Sequence, residues 1–358
     1  MQQSNQTNCH WKPSCTLPGV LPSLGLVLIA GLSSDWWVWF CLLGLVLTAG
    51  FGSDCFPALL AVMADIILCE PIELFNLLNQ RRRVPRLAEI NYLCLVDAQE
   101  TQDYYTGHII TARNVRMEAD GSCYLPDAVE VGSMRHIVVY DSDTSCLQEE
   151  GRAADCAQAL AKSSFCPVQI LKGGYRRFSA LYPFLRTEKI QYTITELENL
   201  KMYPVEIIVG LLYMGDQNQS QDANTLKDLK ISATVSISHF TQSDSVESGT
   251  QTILNIPVAD EVESDLYSNF QTICGFISSH TNVGSRVLIV SRQGRSRCSA
   301  VAIAFLMHHY KYTLEEAWWQ MMKCKPTMRP NTGFLQQLSD WELHTLGRKH
   351  TDLTKAPF

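Results

Sequence analysis

No two of the thirteen cysteines stand in a CxxC pair, no GxxxxGK[ST] stretch occurs, and from residue 13 to residue 80 there is neither lysine nor arginine. Each absence excludes something. An odd cysteine count without paired spacing excludes a disulfide framework and a thiolate zinc site. The cysteines lie in stretches that read as core strands and helices, so they read as reduced, small apolar side chains. Without a glycine-lysine nucleotide loop, nothing of the ATP-binding kind competes with other anion sites. There is no basic excess either: Lys plus Arg number 29 against 36 Asp plus Glu, a net charge of −7. That balance excludes nonspecific nucleic-acid binding, which needs a broad basic face, and leaves phosphate recognition to a local site. No cofactor and no metal are expected.

The gap in basic residues coincides with an apolar stretch from Leu17 to Leu68, densest at WWVWFCLLGLVLTAGFG, Trp36 to Gly52. That run is at the short end for a membrane span, and Ser33-Ser34-Asp35 separates it from the apolar run before it. It is not a secretory leader, since the only basic residue ahead of it is Lys12 and the apolar part is long and broken. Residues 1–62 are therefore set apart as an N-terminal extension, with three readings open. It is a membrane anchor with Arg81, Arg82 and Arg83 on the cytosolic side, an atypical organelle-targeting segment, or an extended start ahead of a natural beginning at Met63. A membrane role requires that residues 17–52 be retained.

With 46% apolar residues over 358 positions, the chain can bury two ordinary cores. The first is expected over 69–186. Helical spacing of Ile72, Leu74, Phe75, Leu77 and Leu78 predicts a helix within Glu70–Gln80. YLCLVDA (92–98), HIVVYD (136–141) and VQILKG (168–173) read as short strands. GRAADCAQALAKS (151–163) reads as a helix between two of them. Strands alternating with helices predict a small parallel α/β unit. LVDAQETQDYYTGHIITARNV (95–115) and LKGGYRRF (171–178) resemble the rhodanese-like domain found at the N-terminus of MAP kinase phosphatases. Active sulfurtransferases of that fold carry a cysteine directly after the strand that here ends in VVYD; this chain has Asp141. A carboxylate cannot replace the attacking thiolate, and Cys146 lies five residues too far on. The resemblance therefore implies a noncatalytic domain. Kinase-docking versions use an arginine cluster, and only Arg113 and Arg116 stand near that region, which argues against MAP kinase docking. Arg81–Arg83 with Arg86 read as a solvated basic loop.

Residues 187–202 read as a linker with a short helix, and 203–346 as a second α/β domain, a central sheet flanked by helices. VEIIVGLLYMG (205–215) reads as paired strands around Gly210, ILNIPVAD (253–260) as a strand, Asp265–His280 as a helix, and RVLIV (286–290) as the strand feeding a polar loop. That loop, Ser291, Arg292, Gln293, Gly294, Arg295, Ser296 and Arg297, is followed by an apolar helix. A turn of this spacing points backbone N–H groups inward as a nest. The helix adds its N-terminal positive potential, and Arg297 supplies a planar fork for two phosphate oxygens. The three converge on one tetrahedral dianion.

The loop resembles the phosphate loop of the protein tyrosine phosphatase superfamily. IIVGLLYMGD (207–216), IPVAD (256–260), YTLEEAW (312–318) and RPNTGFLQQL (329–338) are similar to its dual-specificity branch. Active members read His-Cys-x-x-Gly-x-x-Arg-Ser/Thr. Here the cysteine position is Ser291, the histidine position Val290 and the last position Cys298. A serine hydroxyl would have to lose a far less acidic proton than a thiol, with no general base beside it. Asp260, at the family's general-acid position, is left to assist a departure that nothing drives, or to cap its loop. Cys298 begins the helix, where a thiol pKa can fall, but on the wrong side for in-line attack.

A degraded rhodanese-like domain joined to a dual-specificity domain without its cysteine resembles the pseudophosphatase members of that family. The resemblance implies a protein that binds phosphoproteins or other phosphatases rather than an enzyme. It further implies partners such as a stress-granule nucleating protein and a mitochondrial phosphatase, a cytoplasmic or mitochondrial location, and effects on stress granules and apoptosis. Two alternatives stay open: a weak residual phosphatase, and a scaffold that binds no anion. The tail, 347–358, is expected to be disordered.

Overall fold

The computed structural model of the chain describes residues 64–118, 123–125, 129–191, 193–238, 252–355 and 358. The extension 1–62, with the three readings of it, lies outside the described residues. Among those residues no helix is long and apolar enough to cross a membrane.

Five strands make the first sheet: β1 (Ile66–Cys69), β2 (Leu93–Asp97), β3 (Arg113–Asn114), β4 (His136–Tyr140) and β5 (Val168–Leu171). Their order is β1-β5-β4-β2-β3 and every pairing is parallel. Parallel sheets are covered on both faces, so their strands read as unbroken apolar runs; Leu95, Val96, Val138 and Val139 are all buried. Helices α1 (Pro71–Leu78), α2 (Arg152–Ala161) and α3 (Gly174–Leu181) supply the cover. Helix α1 opens with Pro71 in its first turn, and the Glu73 carboxylate accepts the Glu70 N–H at 2.8 Å, as a helix start favours. Helix α2 lays Ala153, Cys156, Ala157 and Ala161 against Ile137, Val139, Val168 and Ile170. Side chains this small let helix and sheet approach closely.

The second sheet contains β6 (Val205–Ile208), β7 (Leu212–Asp216), β8 (Ile231–Ile237), β9 (Thr252–Ile256) and β10 (Arg286–Ser291), in the order β6-β7-β10-β8-β9. Only β6 and β7 run antiparallel. Between them Gly210 takes φ +68°, a left-handed turn that suits glycine. Strand β10 lies at the centre. Ser291, its last residue, pairs with Asp216 on one side and Ile237 on the other. Three parallel strands thus end together where the polar loop begins, the edge at which open α/β sheets take ligands.

From that loop rises α5 (Arg297–Tyr310), buried from Arg297 through Met307. A helix apolar all round needs neighbours all round. Helices α4 (Tyr267–Thr281), α6 (Leu314–Cys324) and α7 (Thr332–Leu346) share its core through Phe270, Ile273, Trp318, Phe334 and Trp341. The Trp341 indole N–H donates to the Ala304 carbonyl at 3.0 Å, which fixes α7 on α5.

The two sheets are joined by polar groups that the apolar pattern does not show. Asn76 of α1 donates its amide to the Glu206 carbonyl at 2.8 Å and accepts the Glu206 N–H at 2.8 Å. The side chain thus satisfies the edge strand β6 as another strand would. Asn79 accepts the Tyr203 N–H, and Gln80 donates to the Cys324 carbonyl, each at 2.8 Å. The Glu206 carboxylate, itself buried, accepts from the hydroxyls of Tyr182 and Tyr213. Around these bonds one core runs from Leu74, Phe75 and Tyr182 to Tyr203, Leu288 and Val290.

Two segments are better held than the sequence suggested. Between the sheets, the short helix Ile194–Glu198 is capped by Thr193 and Glu196, and Leu197 and Leu200 pack on the shared core. The tail is not disordered over its described residues. The Glu342 carboxylate, buried in α7, accepts the His350 and Thr351 N–H groups at 2.9 and 3.1 Å, and Phe358 packs against Trp318 with ring centroids 5.0 Å apart.

Candidate functional site

Gly294 sets the shape of the loop. It takes φ +63°, and a Cβ there would stand 2.7 Å from the Gly215 carbonyl oxygen. Only glycine allows both. Its N–H donates to the Ser291 carbonyl at 3.2 Å, folding the loop back on β10. The loop then runs into α5, which brings Arg297 under the pocket.

The pocket is about 320 Å³ and is lined by Ser291, Arg292, Gln293, Arg295, Ser296 and Arg297 from the loop, with Asp260 and Arg329 across from them. Four guanidinium groups face one carboxylate. Arg297 is buried. Its Nη1 donates to the Val258 carbonyl at 2.9 Å, while its Nε is buried with no hydrogen-bond acceptor and lies 3.7 Å from Asp260 Oδ2. Asp260 is tied down: its Oδ1 accepts from Ser296 Oγ at 2.5 Å and from Asn331 Nδ2 at 3.1 Å. Asp260 therefore braces the loop.

Ser291 and Cys298 meet at the base of the site. The Ser291 hydroxyl donates to Cys298 Sγ at 3.2 Å. Cys298 is fully buried, and that burial pushes its thiol above the ordinary range, against the lowering pull of Lys325, the Ser291 bond and Arg297. The expected fall at a helix start does not occur, because desolvation of the thiolate outweighs it. Val290, where the family has histidine, is packed in the core with Leu288, Tyr203 and Tyr213.

Residues 212–344 match the family described as "Dual specificity phosphatase, catalytic domain", and residues 82–181 match "Rhodanese-like domain". The chain carries a rhodanese-like domain followed by a dual-specificity phosphatase domain. The chain is similar to Drosophila melanogaster dual specificity protein phosphatase Mpk3, 34% identical over 144 residues, which cover 40% of this chain and 35% of that protein. Human dual specificity protein phosphatase 1 is 26% identical over 298 residues, 70% of this chain and 78% of its own length. Among solved structures, human tyrosine phosphatase-like serine/threonine/tyrosine-interacting protein aligns at 22% identity with a TM-score of 0.37, over 39% of this chain and 96% of its own.

In the rhodanese-like domain the position after β4 holds a closed carboxylate. Asp141 Oδ1 accepts the Asp143 and Thr144 N–H groups, and Oδ2 accepts from Thr144 Oγ1 and the Ala153 N–H. Asp141 thus anchors the loop that in a sulfurtransferase would present a thiolate. Cys146 is half-buried in the same loop.

Two neighbours of the phosphatase-domain pocket escaped the loop motif. Arg329 enters from the segment after α6, where its N–H donates to the Arg295 carbonyl at 3.0 Å; its place in RPNTGFLQQL was the available signal. Lys325 lies behind the loop, and desolvation pulls its pKa below that of a free lysine. Arg81–Arg83 are exposed, as a solvated basic loop is, and they also line a cavity shared with Arg292, Gln293 and Arg295, which the sequence did not suggest.

Proposed function

We propose that this protein is a pseudophosphatase that holds phosphorylated side chains without cleaving them. The observation that carries the reading is the buried Arg297 Nε, which has no hydrogen-bond acceptor. A buried donor left without an acceptor is unfavourable, and a bound oxyanion supplies one. Hydrolysis lacks its first step. Attack on phosphorus needs an anionic nucleophile, and Ser291 is a hydroxyl that spends its proton on a buried neutral thiol. Asp260 and Arg297 stand where a leaving group and a transferred phosphoryl would need them, but neither forms the new bond.

In this account the chain acts as the serine/threonine/tyrosine-interacting-like pseudophosphatases do. It engages phosphoproteins or active phosphatases, among them a stress-granule nucleating protein and a mitochondrial phosphatase, and through them influences stress-granule assembly and apoptosis. A second reading, a scaffold that binds no anion, draws on the bond from Arg297 Nη1 to the Val258 carbonyl, which makes the arginine a brace. Thermal denaturation with sodium tungstate separates the two. Anion binding raises the midpoint of the wild type with the logarithm of tungstate concentration above its Kd and leaves Arg297→Ala unmoved; no shift in either protein favours the scaffold.

A further inference from the structure

Beside the phosphate-loop pocket lies a second cavity of about 420 Å³, and the two share Arg292, Gln293 and Arg295. Six cationic side chains line it: Arg81, Arg82 and Arg83 from the rhodanese-like domain, and Arg292, Arg295 and Lys325 from the phosphatase domain. Its one carboxylate, Asp216, lies 3.6 Å from Arg81 Nη1. Arg82 lies 4.0 Å from Glu89. Among the described residues Arg83, Arg292, Arg295 and Lys325 have no carboxylate partner within ion-pair distance.

This is a built arrangement. Gln80, 3% exposed, donates to the Asn76 carbonyl of α1 and to the Cys324 carbonyl. The Arg86 N–H donates back to the Gln80 carbonyl at 2.9 Å, and the Arg81–Pro85 turn closes on itself by a backbone bridge. One buried amide therefore sets the Arg81–Arg83 turn beside Cys324 and Lys325. Concentrating like charges is unfavourable unless an anion answers them, and the excess here abuts the anion site of the proposed function.

We infer that the interdomain cavity is a second anion subsite, which takes a second phosphorylated side chain on a peptide whose first phosphoryl group occupies the Arg297 pocket. The inference rests on the pseudophosphatase reading and deepens it: affinity and selectivity come from both domains together. The peptide is favoured over a lipid surface by the wall chemistry. Asn79, Asn218, Gln219 and Thr327 accompany the cations, and Val205 is the one aliphatic residue lining the cavity. The net charge of −7 opposes adsorption to an anionic membrane.

Calorimetric titration of the full chain tests this. The probes are a phosphotyrosine peptide and a matched set carrying one phosphoserine two, three or four residues to either side. At least one doubly phosphorylated peptide should bind about tenfold or more tightly than the singly phosphorylated one, as expected for a new set of charge-assisted bonds. Arg82→Ala/Arg83→Ala, both exposed positions, should erase that advantage and leave the singly phosphorylated peptide unchanged. Equal affinities across the set, or an advantage that survives the double substitution, would overturn the subsite while leaving the Arg297 pocket standing. Failure of every peptide to bind would overturn both. Binding of phosphatidylcholine vesicles containing a bisphosphorylated inositol lipid, lost in the same double variant, with no gain among the peptides, would overturn the peptide assignment in favour of a lipid headgroup.

Discussion

The Ser291 hydroxyl donates to the Cys298 thiol across 3.2 Å, and the pair is inverted relative to active dual-specificity phosphatases, which carry the thiol first and the hydroxyl after the arginine. Two positions exchange sulfur and oxygen, and a third, Val290, has no polar group at all. The exchange is asymmetric in its consequences. At residue 291 a thiolate would face the pocket and gain from Arg297 and the start of α5; at residue 298 it would be sealed in the core.

Restoring the order should restore chemistry. Val290→His with Ser291→Cys is expected to release phosphate from an aryl phosphate at a measurable rate, and the wild type is expected to release none. Adding Cys298→Ser should raise the rate further, because the new thiolate then regains a hydroxyl donor. Asp260→Asn in the repaired protein should lower it by about 10²–10⁴. A repaired, folded protein that stays inert would show that the pocket has changed beyond these positions.

Cys298 itself should be silent. Full burial and a raised pKa leave neither access nor thiolate. In native protein treated with iodoacetamide and mapped by mass spectrometry, Cys298 should stay unlabelled while the half-buried Cys123 and Cys146 react. Early labelling of Cys298 would contradict the placement of its thiol.

The junction between the domains should be sensitive at one side chain. Asn76→Ala strips a partner from both the N–H and the carbonyl of Glu206. Two buried backbone groups left unpaired should lower stability by about 2–4 kcal/mol, read by urea denaturation, and should speed proteolysis within 187–202. Wild-type stability with wild-type proteolysis would mean that the apolar core alone holds the sheets together.

Acid should weaken the first domain through His136. Burial, helped by Arg86 and Arg135, pushes its imidazole down to about 4. In the unfolded chain the value is near 6.5. Between the two, the unfolded state binds more protons, so this stability is whole above about pH 6.5 and is lost as pH falls through about 4. After discounting for partial exposure, the loss is on the order of 2 kcal/mol. Between pH 7 and about 4.5, His136→Gln should lose correspondingly less stability than the wild type in urea titrations; equal losses would remove His136 from the account.

The strands and the loop were legible because they are local. RVLIV, LCLVD and HIVVY are continuous apolar runs, and Ser291 to Arg297 is a contiguous motif whose glycine and arginines announce its geometry. What the sequence hid is long-range. Asn76, Asn79 and Gln80 look like the polar face of a helix; nothing local says that they reach Glu206, Tyr203 and Cys324. Arg81–Arg83 read as a solvated loop for the same reason, since their meaning depends on Lys325 and Arg292 standing across the cavity. A chain end is loose unless tied down, and nothing local says that the backbone N–H groups of this one find the one buried carboxylate of α7.

The central claim is a grip without a cut, and one experiment addresses both halves. A phosphotyrosine peptide is titrated into wild type and Arg297→Ala in a calorimeter, and the recovered cell contents are assayed for free phosphate. The account predicts saturable heat for the wild type, none for Arg297→Ala, and no phosphate released from either. Phosphate released by the wild type in excess of the protein present, or the absence of any binding heat that depends on Arg297, would contradict it.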